Sequence, residues 1–253
     1  MSDSTWIHVL RTSQDRFAAV LSPLSDTEIE GRSYDTEWTI AHVASHLGSQ
    51  ADIFTLALEA GLSGVAGPGV EKFHPIWDRW NAKTPREQVD DGVTANEALV
   101  SRIESLSEAD RERFSVSMFG RALDLDGMAG VRLSEHAVHT WDIEVALDPS
   151  AQVAADAVAL LIDLLPGVAG RAGKPVSQGR TLAIQTTEPE RSFTLTTGPE
   201  VALTPGADGD PDLRLPAEAL LRLVYGRLDP DHSPADLAQA PDIVALRRVF
   251  QGF

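Results

Sequence analysis

Up to about Leu165 the apolar residues of this chain recur at helical intervals, and only after Thr181 do they switch to every second position. That change of period restricts the fold more than any other feature. From Thr5 to Leu24, Ile7, Val9, Leu10, Phe17, Val20 and Leu21 mark a first helix ending near Pro23. A second is traced by Ile40, Val43, Leu47, Phe54 and Leu58, with Asp35 or Thr36 as its expected cap and Gly61 as its end. The stretch Gly61 to Gly69 reads as a mobile loop, followed by a cluster of Phe73, His74, Trp77 and Trp80. Thr84-Pro85-Arg86-Glu87 is a capping box with proline at the first helical position, opening a third helix to about Ser105, and Ser107 is placed to start a short continuation. A break around Leu123 to Gly130 precedes a fourth helix from about Val131 to Leu147, closed by Asp148-Pro149. A fifth covers Val153 to Leu165 before Gly167, Gly170 and Gly173 interrupt.

Beyond that point Thr181 to Thr187 and Ser192 to Thr197 alternate in period two around Glu188-Pro189-Glu190-Arg191, as the two arms of a hairpin do. Val201 to Thr204 and Asp212 to Leu215 are candidate further strands. Pro216 opens a helix ending at Gly226, and Asp242 is the expected cap of a last helix carrying Ile243, Leu246 and Phe250 on one face. The expected class is therefore α+β: an up-and-down helical bundle over residues 1–150 and a small α+β domain over 151–253.

At 253 residues either domain can bury a core of its own. A formal charge of −17 argues against nucleic acid as a partner, because that affinity comes from Lys and Arg neutralising phosphates. No long uncharged apolar run and no signal-peptide pattern is present, so neither membrane insertion nor export is expected, and the reading is cytoplasmic. The chain has no cysteine. Any bound metal must then rest on nitrogen and oxygen ligands, and any thiol chemistry must use sulfur supplied from outside.

The candidate chemistry lies on two helices. Glu135 and His139 are four residues apart, so their side chains stand one above the other and can converge on a cation; His42 and His46 repeat that spacing on the second helix. Catalytic zinc takes three protein ligands and leaves one position open, and His46, Glu135 and His139 would supply that set. The same spacing also describes an ordinary acid and base pair on a helix surface. His136 and His42 read as rim or surface residues, with His42 left open as a ligand or a donor behind one. His74 beside Trp77 and Trp80 reads as loop packing. Asp142, one turn beyond His139, is placed either to orient that imidazole or to sit on the helix surface. Arg222 and Arg227 near a helix C-terminus suit either the helix dipole or a carboxylate.

Trp38-Thr39 with Val43-Ala44 and His46-Leu47, then Arg132-Leu133 with Glu135, Val138-His139, Asp142-Ile143 and Ala146-Leu147, then Tyr225-Gly226-Arg227, together resemble the mycothiol-dependent maleylpyruvate isomerase family. The resemblance runs in order along nearly the whole chain. It implies a DinB-like four-helix N-terminal domain and a C-terminal domain similar to sterol carrier proteins. It also implies zinc on His46, Glu135 and His139, mycothiol as the thiol, and a functional arginine for which Arg227 is the nearest match and Arg222 the next. Many relatives carry an acid where this chain has His42. The implied reaction adds the thiol to an electrophilic small molecule, with cis–trans isomerisation by addition and elimination. A mycothiol S-transferase that keeps the thiol attached would share the site, and a metal-free carrier of apolar ligands is the alternative of another class. No protein partner is implied.

Overall fold

The computed structural model describes residues 4–35, 37–118 and 120–252, and the chain divides between Ala151 and Gln152 into two compact units. The first contains α1 (Thr5–Leu21), the short α2 (Asp26–Ile29), α3 (Ile40–Ser63), α4 (Phe73–Asn81), α5 (Pro85–Glu104), α6 (Glu108–Arg113), a hairpin of β1 (Val116–Met118) and β2 (Arg121–Leu123), and α7 (Leu125–Leu147). Its frame is a four-helix bundle in which α3 lies against α5 and α7, and α1 against the same two. The order round the bundle is thus α1, α5, α3, α7. The long helices α1 and α3, although successive in the chain, stand at opposite corners. A diagonal step needs more chain than a tight turn between neighbours, and the segment from Ser22 to Thr39 supplies it, stiffened by α2 with its Ser25–Glu28 capping box.

Phe17 and Leu21 of α1, Ile29 of α2, Ile40, Val43 and Leu47 of α3, Val89 of α5 and Ile143 of α7 form one buried cluster between the helices. Gly92 and Gly48 set how closely α3 is approached. A Cβ on Gly92 would lie 2.8 Å from the Ala44 carbonyl oxygen, and one on Gly48 would fall 2.2 Å from the Trp80 ring. Trp80 fills that space and donates its indole N–H to Asp52, which ties α4 to α3.

Several boundaries differ from the sequence expectation. The cap of α3 is Thr39, neither Asp35 nor Thr36: Thr39 Oγ1 accepts from the His42 amide at 3.1 Å, while Asp35 Oδ1 accepts from the amide of Glu37. Thr36 lies outside the described residues. Helix α1 stops at Leu21, and α3 runs past Gly61 to Ser63, where Gly64 takes the left-handed conformation with φ +66°. The stretch around Phe73 and Trp80 is a helix of its own, and a small hairpin that the sequence pattern does not announce lies just before the expected break at Leu123. That helix also starts earlier than Val131, because Asp124 caps it by accepting from the Gly127 amide at 2.8 Å, so Gly127 and Gly130 are helical.

The second unit is α+β. It contains α8 (Ala155–Leu161), α9 (Leu165–Ala172), β3 (Arg180–Thr187), β4 (Arg191–Thr197), β5 (Ala202–Pro205), β6 (Leu213–Pro216), α10 (Ala217–Val224) and α11 (Pro241–Leu246). The sheet order is β5-β4-β3-β6, antiparallel across the first three strands, with β6 parallel to β3. Period-two alternation puts Leu182, Ile184, Phe193, Leu195, Leu203, Leu213 and Leu215 in the core, where α9 and α10 cover the sheet. Gly167 and Gly170 lie within α9, which ends only at Gly173. The last helix begins at Pro241 without a side-chain cap, so Asp242 sits inside its first turn. Among the described residues no helix is long and apolar enough to cross a membrane.

Candidate metal centre

Two helices of the bundle bring the chemistry together. The capping box at Thr39 fixes the start of α3, and His46 follows two turns later. On α7 the 3.6-residue period places Arg132, Glu135, His139 and Asp142 along one side. His136, one residue off that stripe, turns instead toward α1. It is fully buried, its Nδ1 lying 2.9 Å from Ser13 Oγ and its ring edge against Phe17. The expectation that His136 is a rim or surface residue is therefore corrected: the side of α7 that carries it packs on α1.

His46, Glu135 and His139 present one ligand atom each within 4.8 Å of one another. Glu135 Oε2 lies 3.5 Å from His46 Nε2 and 3.8 Å from His139 Nε2. A tetrahedral zinc with bonds of about 2.0–2.1 Å separates its ligand atoms by about 3.3 Å, and the two distances from Glu135 to the imidazoles exceed that by only a few tenths of an ångström. The chemistry of the donors agrees, two imidazoles and a carboxylate with no thiolate. His139 Nδ1 lies 2.8 Å from a carboxylate oxygen of the buried Asp142. Donation there fixes the tautomer and leaves the Nε2 lone pair facing the cluster. The Trp38 ring, 5.2 Å from His46 and 6.3 Å from His139 between centroids, walls the cluster on one side.

Beneath the ligands is a group the sequence reasoning did not single out. Gln50, one turn after His46 on α3, has its amide nitrogen 2.8 Å from His46 Nε2 and 2.7 Å from Glu135 Oε2. Its oxygen accepts from Arg132 Nη1 at 2.9 Å, and Arg132 also donates to the Leu47 carbonyl at 3.0 Å and to Asn96 Oδ1. Arg132 is buried and its guanidinium lies 5.7 Å from the centre of the Phe54 ring. The i, i+4 spacing from His46 to Gln50 was the available signal, but an amide carries no charge to draw attention to it.

These surroundings set the charges. Burial pushes the His46 imidazole below its usual value, outweighing the opposing bond with Glu135. Burial alone would raise the Glu135 carboxyl, yet the adjoining His46, the hydrogen bond from Gln50 and the nearby His139 together hold it at about 2. Desolvation brings Arg132 down to about 10, against the pull of Glu135, so it is still a cation at neutral pH. A carboxylate and an unprotonated His46 at neutral pH are what a metal ligand set requires.

His42 is exposed and its Nδ1 accepts from the Thr39 amide at 3.3 Å, so it serves the cap and stands apart from the three ligand atoms. A cavity of about 480 Å³ adjoins the cluster, bounded by His46, Trp38, His42, Ser49, Trp77 and Asn81. His74 packs edge-on against Trp77 at 5.3 Å. In the second unit Arg222 is buried and forks onto Glu218 at 2.6 and 3.1 Å, while Arg227 is half-buried and donates to the Tyr225 carbonyl at 2.9 Å.

Residues 10–144, more than half of the chain, match the family model of the mycothiol maleylpyruvate isomerase N-terminal domain. The chain belongs to that family. Two solved structures similar to it are the mycothiol-dependent maleylpyruvate isomerase (TM-score 0.64) and a histidine-to-alanine mutant of the same enzyme (TM-score 0.65). Each is 15% identical, and each match covers 88% of this chain and 88% of the other. At that identity the likeness is one of fold, and it takes in both the family domain and most of the second unit. YfiT from Bacillus subtilis, described as a probable metal-dependent hydrolase with an unusual four-helix bundle topology, is 15% identical with a TM-score of 0.45, over 57% of this chain and 88% of its own. No curated protein matches the chain in sequence.

Proposed function

We propose that this protein is a cytoplasmic enzyme that ionises a low-molecular-weight thiol, mycothiol, and adds it to an electrophilic double bond in the manner of a maleylpyruvate isomerase. One observation carries the reading: His46, Glu135 and His139, drawn from two helices, converge with their ligand atoms within 4.8 Å. Membership of the mycothiol maleylpyruvate isomerase family supports the choice of thiol. Zinc would be held by His46 Nε2, Glu135 Oε2 and His139 Nε2, and when bound it supplies a Lewis acid that favours the thiolate over the thiol at neutral pH.

The chain's own residues supply the rest. Asp142 keeps the His139 proton on Nδ1, so that Nε2 faces the cluster. The cavity between Trp38 and Trp77 gives the body of the thiol a place beside His46, with aromatic faces for its carbon skeleton and His42, Ser49 and Asn81 for its polar groups. The sulfur adds to one carbon of the cis double bond, and the electron pair moves onto the conjugated carbonyl. Rotation about the new single bond and expulsion of the sulfur return the pair and leave the trans alkene, with the thiol regenerated. Arg227 is the residue we assign to a substrate carboxylate. Arg222, which forks onto Glu218, is the second candidate.

Zinc-loaded protein given mycothiol and maleylpyruvate should form fumarylpyruvate with no net consumption of thiol. A stable S-conjugate would reassign the protein as a mycothiol S-transferase using the same site. Protein that takes up no zinc and copurifies with lipid would overturn the enzyme reading in favour of an apolar-ligand carrier.

A further inference from the structure

We propose that Gln50 is a hydrogen-bond donor to the sulfur of the thiol, and that Arg132 is the positioning residue that keeps its amide turned toward the site. The inference rests on the reading that His46, Glu135 and His139 hold a metal, and it goes beyond that reading by assigning roles to two side chains outside the ligand set.

The orientation of the amide decides what Gln50 offers to the site. A glutamine side chain can be rotated to exchange its oxygen and nitrogen at almost no cost in shape, so its hydrogen bonds must decide between the two. Arg132 decides it here. A guanidinium has only N–H groups to offer, so the Gln50 atom 2.9 Å from Arg132 Nη1 must be the oxygen. Arg132 is itself buried and held by Leu47 and Asn96, so it cannot swing away to release the amide. Both amide hydrogens of Gln50 are then committed to the site, one toward His46 Nε2 and one toward Glu135 Oε2.

Those two acceptors are proposed ligand atoms. When a cation takes the His46 lone pair, the N–H that pointed at it loses its acceptor, while the other can stay on the Glu135 carboxylate. The freed N–H remains beside His46, whose side chain also bounds the cavity in which we place the thiol. A donor left without an acceptor in a half-buried site is costly, and an anionic sulfur arriving there satisfies it. Arg132 adds a second effect. Its hydrogen bonds go to neutral partners, so its positive charge is available to favour an anion bound nearby.

The test uses the full chain loaded with cobalt(II), whose absorption reports both metal uptake and ligation by sulfur. The affinities of 2-mercaptoethanol and of imidazole are measured at one pH for the natural protein and for Gln50→Met, which keeps the length of the side chain and removes its donors. Sulfur bound to the metal still accepts hydrogen bonds, whereas imidazole bound through one nitrogen has no acceptor left to offer. The expected result is thiol affinity of the cobalt-loaded protein weakened by about tenfold or more, from the loss of a hydrogen bond to a charged group, with its imidazole affinity essentially unchanged; cobalt affinity itself falls, because Gln50 also holds Glu135. Equal losses for thiol and imidazole would show a general disturbance and overturn the proposal, as would no loss for either. If Gln50→Met does not fold, Gln50→Asn, whose amide is too short to span from Arg132 to the ligands, carries the same expectation. Natural protein that takes up no cobalt would refute the metal reading, and the role of Gln50 with it. Cobalt uptake with unchanged thiol selectivity in the variant would refute the role of Gln50 alone.

Discussion

Each unit of this protein buries an arginine on a helix, and the two are treated in opposite ways. On α10, Arg222 meets Glu218 from the preceding turn in a two-pronged ion pair, both side chains largely hidden from water. On α7, Arg132 also has an acid one turn away, Glu135, but its hydrogen bonds go to an amide, a carbonyl and an asparagine, while the Glu135 carboxylate is turned toward two histidines. The first arrangement pairs its charge with a carboxylate one turn away. The second leaves a carboxylate free to bind a cation and a guanidinium free to orient Gln50. Buried charge that is not cancelled by its nearest neighbour is a sign of function, because desolvating it costs free energy that the fold itself does not recover.

The contrast can be broken from either side. Glu218→Ala removes the carboxylate onto which the buried Arg222 forks and should cost about 3–5 kcal/mol in urea unfolding while zinc affinity stays as it was. A loss in both would mean that the units do not divide structure from function as stated. Glu135→Ala should leave the fold intact and weaken zinc binding by more than about a hundredfold in a chelator competition, exceeding the roughly 10–100-fold that removal of an outer partner costs. Asp142→Asn is such an outer change. It should lower zinc affinity by about 10–100-fold without removing the site.

The smallest effect is expected at His136, which shares α7 with the ligands but faces α1. His136→Leu should alter unfolding free energy at pH 8 by no more than about 1 kcal/mol, because the imidazole it removes has a buried Nε2 without a hydrogen-bond partner. Its signature lies in the pH dependence. Full burial, aided by the fields of Arg132 and His139, holds the folded pKa of His136 well below the usual value. The unfolded chain therefore takes up a proton at that residue near pH 6.5 that the folded chain refuses, so stability is present above that pH and declines as pH falls. The acid-side decline, measured on metal-free protein, should be shallower in His136→Leu.

What was legible in the sequence was local. The Thr84–Glu87 capping box, the proline after it and the alternation in β3 and β4 are each decided within a few residues, and they appear where the pattern puts them. The spacing of Glu135 and His139 is local too. The meeting of those residues with His46 joins two helices far apart in sequence and needed more than spacing, so the motif pair in order was the stronger signal. Asp35, Thr36 and Thr39 all stand before α3 with side chains that can cap a helix, and only the backbone geometry selects Thr39. His136 was misjudged because faces on a helix differ by about 100° per residue, and single-sequence periodicity blurs which side of α7 is inner when both pack on other helices. Gln50 escaped notice because its importance depends on Arg132, a residue that reaches it from another helix.

In the proposed function two helices hold a metal with a place for sulfur that this cysteine-free chain cannot itself provide. X-ray absorption at the zinc edge tests it most directly. Zinc-loaded protein should show only nitrogen and oxygen neighbours at about 2.0–2.2 Å, and addition of thiol should bring in one sulfur at about 2.3 Å. A zinc shell that stays free of sulfur at saturating thiol, or zinc that remains bound to the Glu135→Ala variant, would contradict the account.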